Sequence, residues 1–533
     1  MSPIGKLEFV FLLLLLFIVV FGFLARRIGT PYAIVMVIGG FLISLVPGIP
    51  KITLNPDVVF LVVLPPLLYA AAWTTSWRDF RYNLVSISLL AFGLVGFTVA
   101  VVAVVAPRIF DGFDWRLGVV LGAVVAPTDA IAATSIARRV GLPRRLVDIL
   151  EGESLINDAT GLLALQFGTA MVVESRVPTV LNGLSTLVWL TAGGIMLGLL
   201  VGWVVDWIER QINDAPIEIT LSILVPYAAY LAAEAVHASG VLAVVACGLF
   251  LARRSARFFS PSVRIQIWSV WESLNFVLNG FVFVLIGLQL PSIRASIGGH
   301  NPWELLAGAG VFTAILIAVR LVWVYPAATL AWVLRTHAMH QREKRPNLRG
   351  VFVLGWTGMR GVVSLAAALA LPAILPDGNP FPQRNVIVFL TFSVIFATLV
   401  LQGVTLPRLI RALRLAGTAG GNCEEIEARR IVLDAAVDYL KDASAQDTGS
   451  ADVYADLIRH YEERLATIRP EGDGGQDATK HDRYVELSLE ALRVERDTAI
   501  ALRDEGRISD EVLRHIEREL DLNQTRLDGA GEA

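Results

Sequence analysis

Between residues 7 and 411 the chain is a succession of apolar runs of about 17–25 residues, separated by short polar or basic segments. The runs fall near 7–25, 32–48, 57–75, 83–106, 115–137, 146–173, 184–207, 217–236, 240–254, 265–290, 303–334, 350–375 and 385–411, the ninth short and the eleventh long. In a bilayer core every backbone N–H and C=O must be satisfied within the protein, so runs of this length predict spanning helices. The expected fold is an all-α polytopic membrane protein with about 13 transmembrane helices. Beyond Leu415 the pattern changes. In 424–443, 451–468 and 508–527 apolar positions recur at three and four, which predicts amphipathic helices, and RPEGDGGQDATKHD (469–482) reads as a flexible break. The chain thus divides into a membrane domain, 1–415, and a helical tail, 416–533.

Composition agrees. Of 533 residues, 55% are apolar and 17% charged, against about 25% charged in a soluble domain. The mean hydropathy is +0.61. The tail holds 15 basic and 28 acidic residues, and this acidity argues against nucleic-acid binding. Cys247 and Cys423 are too few and too far apart for a disulfide framework or a CxxC metal site. The opening run, 7–24, has no basic leader beyond Lys6 and is followed by Ala25-Arg26-Arg27, so it reads as a first spanning helix and not as a signal peptide.

Charge also orients the chain. Alternate loops carry about 21 basic residues, among them Arg26/Arg27, Arg138/Arg139/Arg144/Arg145, Arg253/Arg254 and Arg345/Arg349, and the intervening loops about 7. The positive-inside rule puts the rich side in the cytoplasm, with the N-terminus outside and the tail inside. That arrangement requires an odd number of spans, as counted.

A few places break the apolar pattern. The fifth run contains Pro127-Thr128-Asp129, and a proline deprives a helix of a donor and clashes with the preceding turn, so unwinding is expected around Ala126–Asp129. The twelfth contains Arg360 among Gly355, Gly358 and Gly361, glycines that tolerate non-helical backbone. Each interrupted run is the second of a triplet (runs 4–6 and 11–13), as in transporters built from inverted repeats around two crossing unwound helices. The sixth run opens with EGESLINDATG (151–161). At 1.5 Å per residue, Asp158 lies roughly 17 Å into a core about 30 Å thick, close to its middle. Ser154 and Asp158 share one helix face, Glu153 and Asn157 another, and Asp148 and Glu151 read as rim charges. Arg320, deep in the eleventh run, needs a carboxylate fork. Glu153 fits that part and leaves Asp158 chemically free; pairing with Asp158 as structural glue is the alternative. Arg360 is expected where the broken helices cross, beside half-helix ends and the Asp129 carboxylate.

A small hard cation takes oxygen ligands, which Asp158, Asp129, Ser154, Thr128 and freed carbonyls near Ala126–Thr128 can supply. Burial favours the neutral form of a carboxylate, so one carboxyl can hold a proton or a cation in competition. Alternating access to such a site gives exchange.

The words LPPLLYAAA (64–72), APTDAIA (126–132), EGESLINDATG (151–161), SGVLAVVACGL (239–249), NFVLNGFVFVLIGLQL (275–290), GMRGVVSLAAALALP (358–372) and LQGVTLPRL (401–409) follow one another along the membrane domain. In these the chain resembles bacterial sodium/proton antiporters of the monovalent cation:proton antiporter-1 family, relatives of NhaP-type and animal sodium/hydrogen exchangers. The resemblance implies a homodimer in the cell membrane, with core spans at about 83–173 and 303–411 and scaffold spans at about 7–75 and 184–290. It implies Asp158 as the exchanging carboxylate, Asp129, Thr128 and Ser154 as assisting ligands of a transported Na⁺, and Glu153 paired with Arg320. It implies no cofactor beyond the transported cation and proton. The Asn157-Asp158 form goes with electroneutral exchange, Asn157 bonding the unwound backbone. One position departs: Ala70 stands where many relatives have an acid, which leaves coordination number and ion choice open.

Sodium or lithium is the first expected cargo, with potassium/proton antiport close behind. HExxH is absent and the spans show no paired Ser/His, against a membrane enzyme; broken half-helices around one carboxylate argue against an ion channel. Glu234 and Glu272, near span ends, can line an access funnel or serve only at the interface. His237, His300, His337 and His340 are weak candidates for pH sensing. No nucleotide motif marks the tail, which reads as regulatory, self-associating or a solvated appendage.

Overall fold

The computed structural model of the chain describes residues 3–524 apart from 47–53, 174–179, 213, 298–300, 339–344, 416–419, 447–450, 468–474, 506, 508–511, 514–515 and 518. His300 and His340 lie outside the described residues, as does much of the tail segment 508–527. Every regular element among the described residues is helical, apart from one isolated bridge between Ile374 and Pro380. The chain divides into two units, Met1–Thr418 and Ala419–Ala533.

The first unit opens with α1 (Pro3–Ile28), α2 (Tyr32–Ser44), α3 (Pro56–Thr74) and α4 (Trp77–Ile109). A broken pair follows, α5 (Trp115–Val125) and α6 (Ala130–Val140), bent by 40°. Then come α7 (Arg144–Val173), α8 (Val180–Glu209), α9 (Ala215–Ala235), α10 (Gly240–Phe258), α11 (Pro261–Leu288) and the short α12 (Leu290–Ser296). The long α13 (Pro302–Val333) leads to a second broken pair, α14 (Leu348–Trp356) and α15 (Val362–Leu369), and α16 (Arg384–Ala412) closes the unit. Nine described helices are long and apolar enough to cross a membrane, ten if the α5–α6 pair counts as one span. The other expected runs fall on α2, α10 and the α14–α15 pair. The protein is a multi-pass helical membrane protein.

Many helix starts follow from caps in the sequence. Asp114, Asp214, Ser239, Ser260, Asn301 and Asn347 each accept a backbone N–H of the first turn of α5, α9, α10, α11, α13 and α14. Gly141 ends α6 in the left-handed conformation, at φ 76°. Two packing neighbourhoods result. α4, α5, α6, α7, α13, α14, α15 and α16 pack on one another around the two breaks, while α1, α2, α3, α8, α9, α10 and α11 pack among themselves. Outward faces stay apolar, as lipid requires: Phe11, Leu16 and Phe23 on α1, and Trp189, Met196, Trp203 and Trp207 on α8, are all more than half exposed.

The second unit holds α17 (Gly420–Gln446), α18 (Ala451–Thr467) and α19 (Gly475–Asp504), with Lys441 of α17 paired to Glu462 of α18 at 2.9 Å. The break expected over 469–482 is shorter than its glycines implied, since helix begins again at Gly475. Asp477, Lys480 and the residues after them have ordinary helix propensity, which outweighs the local glycines.

Candidate functional site

Pro127 has no N–H to donate, and α5 ends at Val125. The chain then runs non-helically to Asp129, whose Oδ1 caps α6 by accepting the N–H of Ile131 at 2.8 Å. Opposite it, α14 stops at Trp356 and α15 starts at Val362, with the glycine-flanked segment 357–361 between them. The two breaks touch: the N–H of Asp129 donates to the carbonyl of Met359 at 2.8 Å. A Cβ on Gly361 would collide with the Asp129 side chain, and one on Gly161 of α7 with Pro127, so only glycine admits these approaches.

Two buried arginines hold the breaks. Arg360 Nη1 donates to the carbonyls of Ala126 at 2.5 Å and Pro127 at 3.2 Å, at the C-terminal end of α5. Arg320 of α13 donates from Nε and Nη2 to the carbonyl of Leu354 at 3.3 and 3.2 Å, in the last turn of α14. Each guanidinium therefore sits where a half-helix presents unsatisfied carbonyls and the negative end of its dipole. The guanidinium of Arg360 takes the carbonyls at the end of the α5 half-helix; among the described residues no bond joins it to Asp129, whose side chain packs against the neighbouring Gly361. The unwound carbonyls lie within reach of Arg360, and one oxygen of Asp129 is already taken up in capping α6. The same bonds occupy carbonyls of Ala126 and Pro127 that were expected to face a cation.

Arg320 also forms the fork with Glu153, Nη1 to Oε1 at 2.5 Å and Nη2 to Oε2 at 2.8 Å, the residues being 2% and 1% exposed. From Glu153 a chain of polar contacts continues. The Thr128 hydroxyl donates to Glu153 Oε1 at 3.0 Å and accepts from Asn157 Nδ2 at 2.7 Å. Asn157 Nδ2 also lies 3.4 Å from the Thr128 carbonyl, while its Oδ1 has no partner among the described residues. The Ser154 hydroxyl accepts the N–H of Ala130 at 3.3 Å.

Asp158 stands apart. It is 7% exposed, and among the described residues it takes no hydrogen bond or ion pair. Asp129 is near enough for its charge to act on Asp158. Thus Asp158, Asp129, Ser154, Thr128, Asn157, Glu153, Arg320 and Arg360 gather at one crossing, where, among the described residues, only Asp158 is left without a fixed partner. Glu151, by contrast, pairs with the exposed Arg138 at 2.6 Å.

Two cavities approach the crossing. One, of about 470 Å³, is lined by Ala159 and Thr160, next in the chain to Asp158, and by Asp57, Glu234 and His237. The other, of about 520 Å³, is lined by Tyr32, Ala70, Arg139, Glu272 and Asn275. Tyr32 lies near enough to Asp129 to feel its charge. Further buried acids escape a reading of the sequence: Asp206, Glu209 and Glu218, at 3%, 3% and 1% exposure. They sit at helix ends beside a loop, where the sequence gives no sign of burial. Asp206 takes Arg210 at 3.0 Å and Arg254 at 2.7 Å.

A family model described as "Sodium/hydrogen exchanger, transmembrane" matches residues 12–412. The uncharacterized Na⁺/H⁺ exchanger Rv2287 of Mycobacterium tuberculosis is 35% identical over 517 residues, spanning 94% of this chain and 92% of that protein. A sodium, potassium, lithium and rubidium/H⁺ antiporter of Bacillus pumilus is 32% identical over 453 residues, or 83% of this chain and 66% of that one. The solved structure of the sodium proton antiporter MjNhaP1 from Methanocaldococcus jannaschii at pH 8 superposes with a TM-score of 0.58 at 18% identity, covering 78% of this chain and all of that one, a likeness of fold.

Proposed function

The chain belongs to the sodium/hydrogen exchanger family, a family of transporters and not of catalytic enzymes, and from that premise we propose that it exchanges protons for Na⁺ across the cytoplasmic membrane by competition at Asp158. The observation that carries the reading is the contrast at the crossing. Glu153, Thr128, Asn157, Arg320 and Arg360 are engaged with one another or with unwound backbone, and Asp158 is buried with no such engagement.

A buried carboxylate without a partner is unfavourable as a bare anion, so it holds either a proton or a cation. Na⁺ is a hard cation, and the oxygens free to meet it beside Asp158 are Asp129 Oδ2 and the Ser154 hydroxyl; the Thr128 hydroxyl would give up a hydrogen bond to join them. Exchanging one proton for one Na⁺ at a single carboxylate moves no net charge, and the neutral Asn157 adds none, so the exchange is electroneutral. Asn157 and Thr128 fix the unwound segment, and the Glu153–Arg320 fork braces α7 against α13 and α14.

In this reading spans 4–6 and 11–13 of the thirteen form two inverted repeats whose second helices are the broken pairs, with the N-terminus outside and the tail in the cytoplasm. The cavity bearing Asp57 and Glu234 then faces outward, and the one bearing Arg139 and Glu272 faces the cytoplasm. The helices around the breaks form the moving core. The remaining spans are the scaffold and the contact surface of a homodimer. The Bacillus pumilus relative, a sodium, potassium, lithium and rubidium/H⁺ antiporter by name, favours a second reading, in which K⁺ and Li⁺ are carried too.

Proteoliposomes with an imposed pH gradient test this. Adding Na⁺ is expected to collapse the gradient at a rate indifferent to a clamped membrane potential. Collapse by K⁺ but not Na⁺ supports the second reading; no collapse by Na⁺, Li⁺ or K⁺ refutes both. The crossing itself predicts a steric effect. Gly361→Ala places a methyl against Asp129 and is expected to lower exchange about ten- to hundredfold by misplacing the ligands. Gly96→Ala, on α4 with open space around it, is expected to leave exchange unchanged and to stabilise by up to about 1 kcal/mol. Equal rates for the two variants in the same assay would show that the close approach at Gly361 is unimportant.

A further inference from the structure

A third cavity, of about 220 Å³, opens between α4, the start of α7, the end of α13 and α14, away from the crossing described above. Its wall carries two arginines, Arg145 and Arg335, together with Asn347. The rest is largely apolar: Leu90, Leu146, Ile149, Val324, Trp332 and Leu415 are among the lining residues. Both guanidiniums lie against the ring of Tyr82, at 5.4 and 5.8 Å from its centroid, so one aromatic ring brings two like charges together. Arg335 is only 4% exposed despite its charge. Arg145 Nε donates to Asn83 Oδ1 at 3.3 Å; of the nearby acids, Glu151 pairs with Arg138, and Asp148 lies near Arg144 and Arg138.

The chemistry of this wall is specific. Planar guanidiniums are weakly hydrated and match phosphate oxygens in pairs. The apolar remainder offers nothing to a small hydrated anion but suits a hydrocarbon chain. Leu330, Val333 and Leu334, close in sequence to the lining residues Trp332 and Arg335, are exposed apolar side chains of the kind that face lipid. Trp332 near the end of a spanning helix marks the headgroup level, where basic pockets between helices take anionic lipids.

We propose that this cavity binds the phosphate headgroup of an anionic membrane phospholipid between Arg145 and Arg335, and that its occupancy steadies α14 against α13. The route to the site is short. Leu354 lines the cavity, and its carbonyl accepts two donors of Arg320, while Val324 lies one turn beyond Arg320 on α13. A bound lipid therefore buttresses the brace of Glu153, and exchange is faster with the site filled. The effect on exchange rests on the function proposed above; the binding itself does not.

The test uses the full-length protein and two readouts. In detergent, phosphatidylglycerol is expected to raise the thermal unfolding temperature, and Arg145→Gln with Arg335→Gln to weaken its binding by about fivefold for each arginine removed. In vesicles of phosphatidylcholine alone the double variant should match the parent, whereas added phosphatidylglycerol should accelerate only the parent. Asn347→Asp guards against misfolding, because an aspartate still caps α14 while placing a negative charge at the cavity, and it too should lose the response. A thermal shift of equal size with inorganic phosphate would overturn the lipid assignment in favour of a soluble anion. A double variant faster than the parent in phosphatidylcholine alone would overturn it in favour of an acidic segment of this chain. Undiminished lipid binding by all variants would overturn the site. A thermal shift without any exchange by the parent would leave the lipid site standing and remove the exchange reading instead.

Discussion

Replacing Asp158 with asparagine is expected to silence exchange while leaving the protein folded. The substitution keeps shape and volume and removes only the ability to carry a proton or a negative charge. Among the described residues Asp158 holds no hydrogen bond or ion pair, so nothing is orphaned when its charge goes. Stability should stay within about 1 kcal/mol of the parent, or rise, because a neutral amide is less unfavourable at this depth than a carboxylate. Exchange should fall to the background of empty vesicles, for among the described residues no other carboxylate at the crossing lacks a fixed partner. Asp129 caps α6 and Glu153 is forked by Arg320. Proteoliposomes carrying the variant that still moved protons against a sodium gradient would show that the exchanging group is elsewhere.

The second large effect concerns stability. Arg320→Ala strands Glu153 as a buried, uncompensated carboxylate and frees the last carbonyls of α14. Glu153→Ala strands Arg320 in turn and takes away the acceptor of Thr128. Removing one partner of such a pair is expected to destabilise by about 3–5 kcal/mol, whereas removing both leaves no lone buried charge. The double variant should therefore recover part of the loss, with a coupling of about 0.5–3 kcal/mol in a double-mutant cycle. Thermal unfolding of the purified variants measures this. Additive losses would mean that the fork contributes nothing as a pair and that the crossing is braced by other contacts.

The spans were legible because the bilayer allows few solutions: a long apolar run has to be a helix. The break in the fifth run was legible because proline cannot donate, whatever its surroundings. Charge depth also told much. A helical rise alone puts Asp158 far from either surface, and a guanidinium as deep as Arg320 needs an acid. Direction was less legible. The sequence puts Arg360 at a break but does not say which group it meets, since that depends on how two distant half-helices are juxtaposed. In the structure its guanidinium bonds the carbonyls that end α5. Lengths failed in a similar way. α4 begins at Trp77, several residues before the apolar run, because Ser76 caps a polar first turn that the hydropathy pattern does not include. The buried Asp206, Glu209 and Glu218 were invisible for the converse reason, as acids at helix ends usually face water and their burial depends on the packing of α8, α9 and α10.

The central claim, that one carboxyl holds either ion, is tested most directly by the protons released when Na⁺ is added to purified protein in weak buffer. Release should be largest where Asp158 is partly protonated. It should vanish at higher pH, where no proton remains to be displaced, and demand more Na⁺ as the pH falls. Asp158→Asn should release none at any pH. Release of equal size from the variant and the parent would contradict the account.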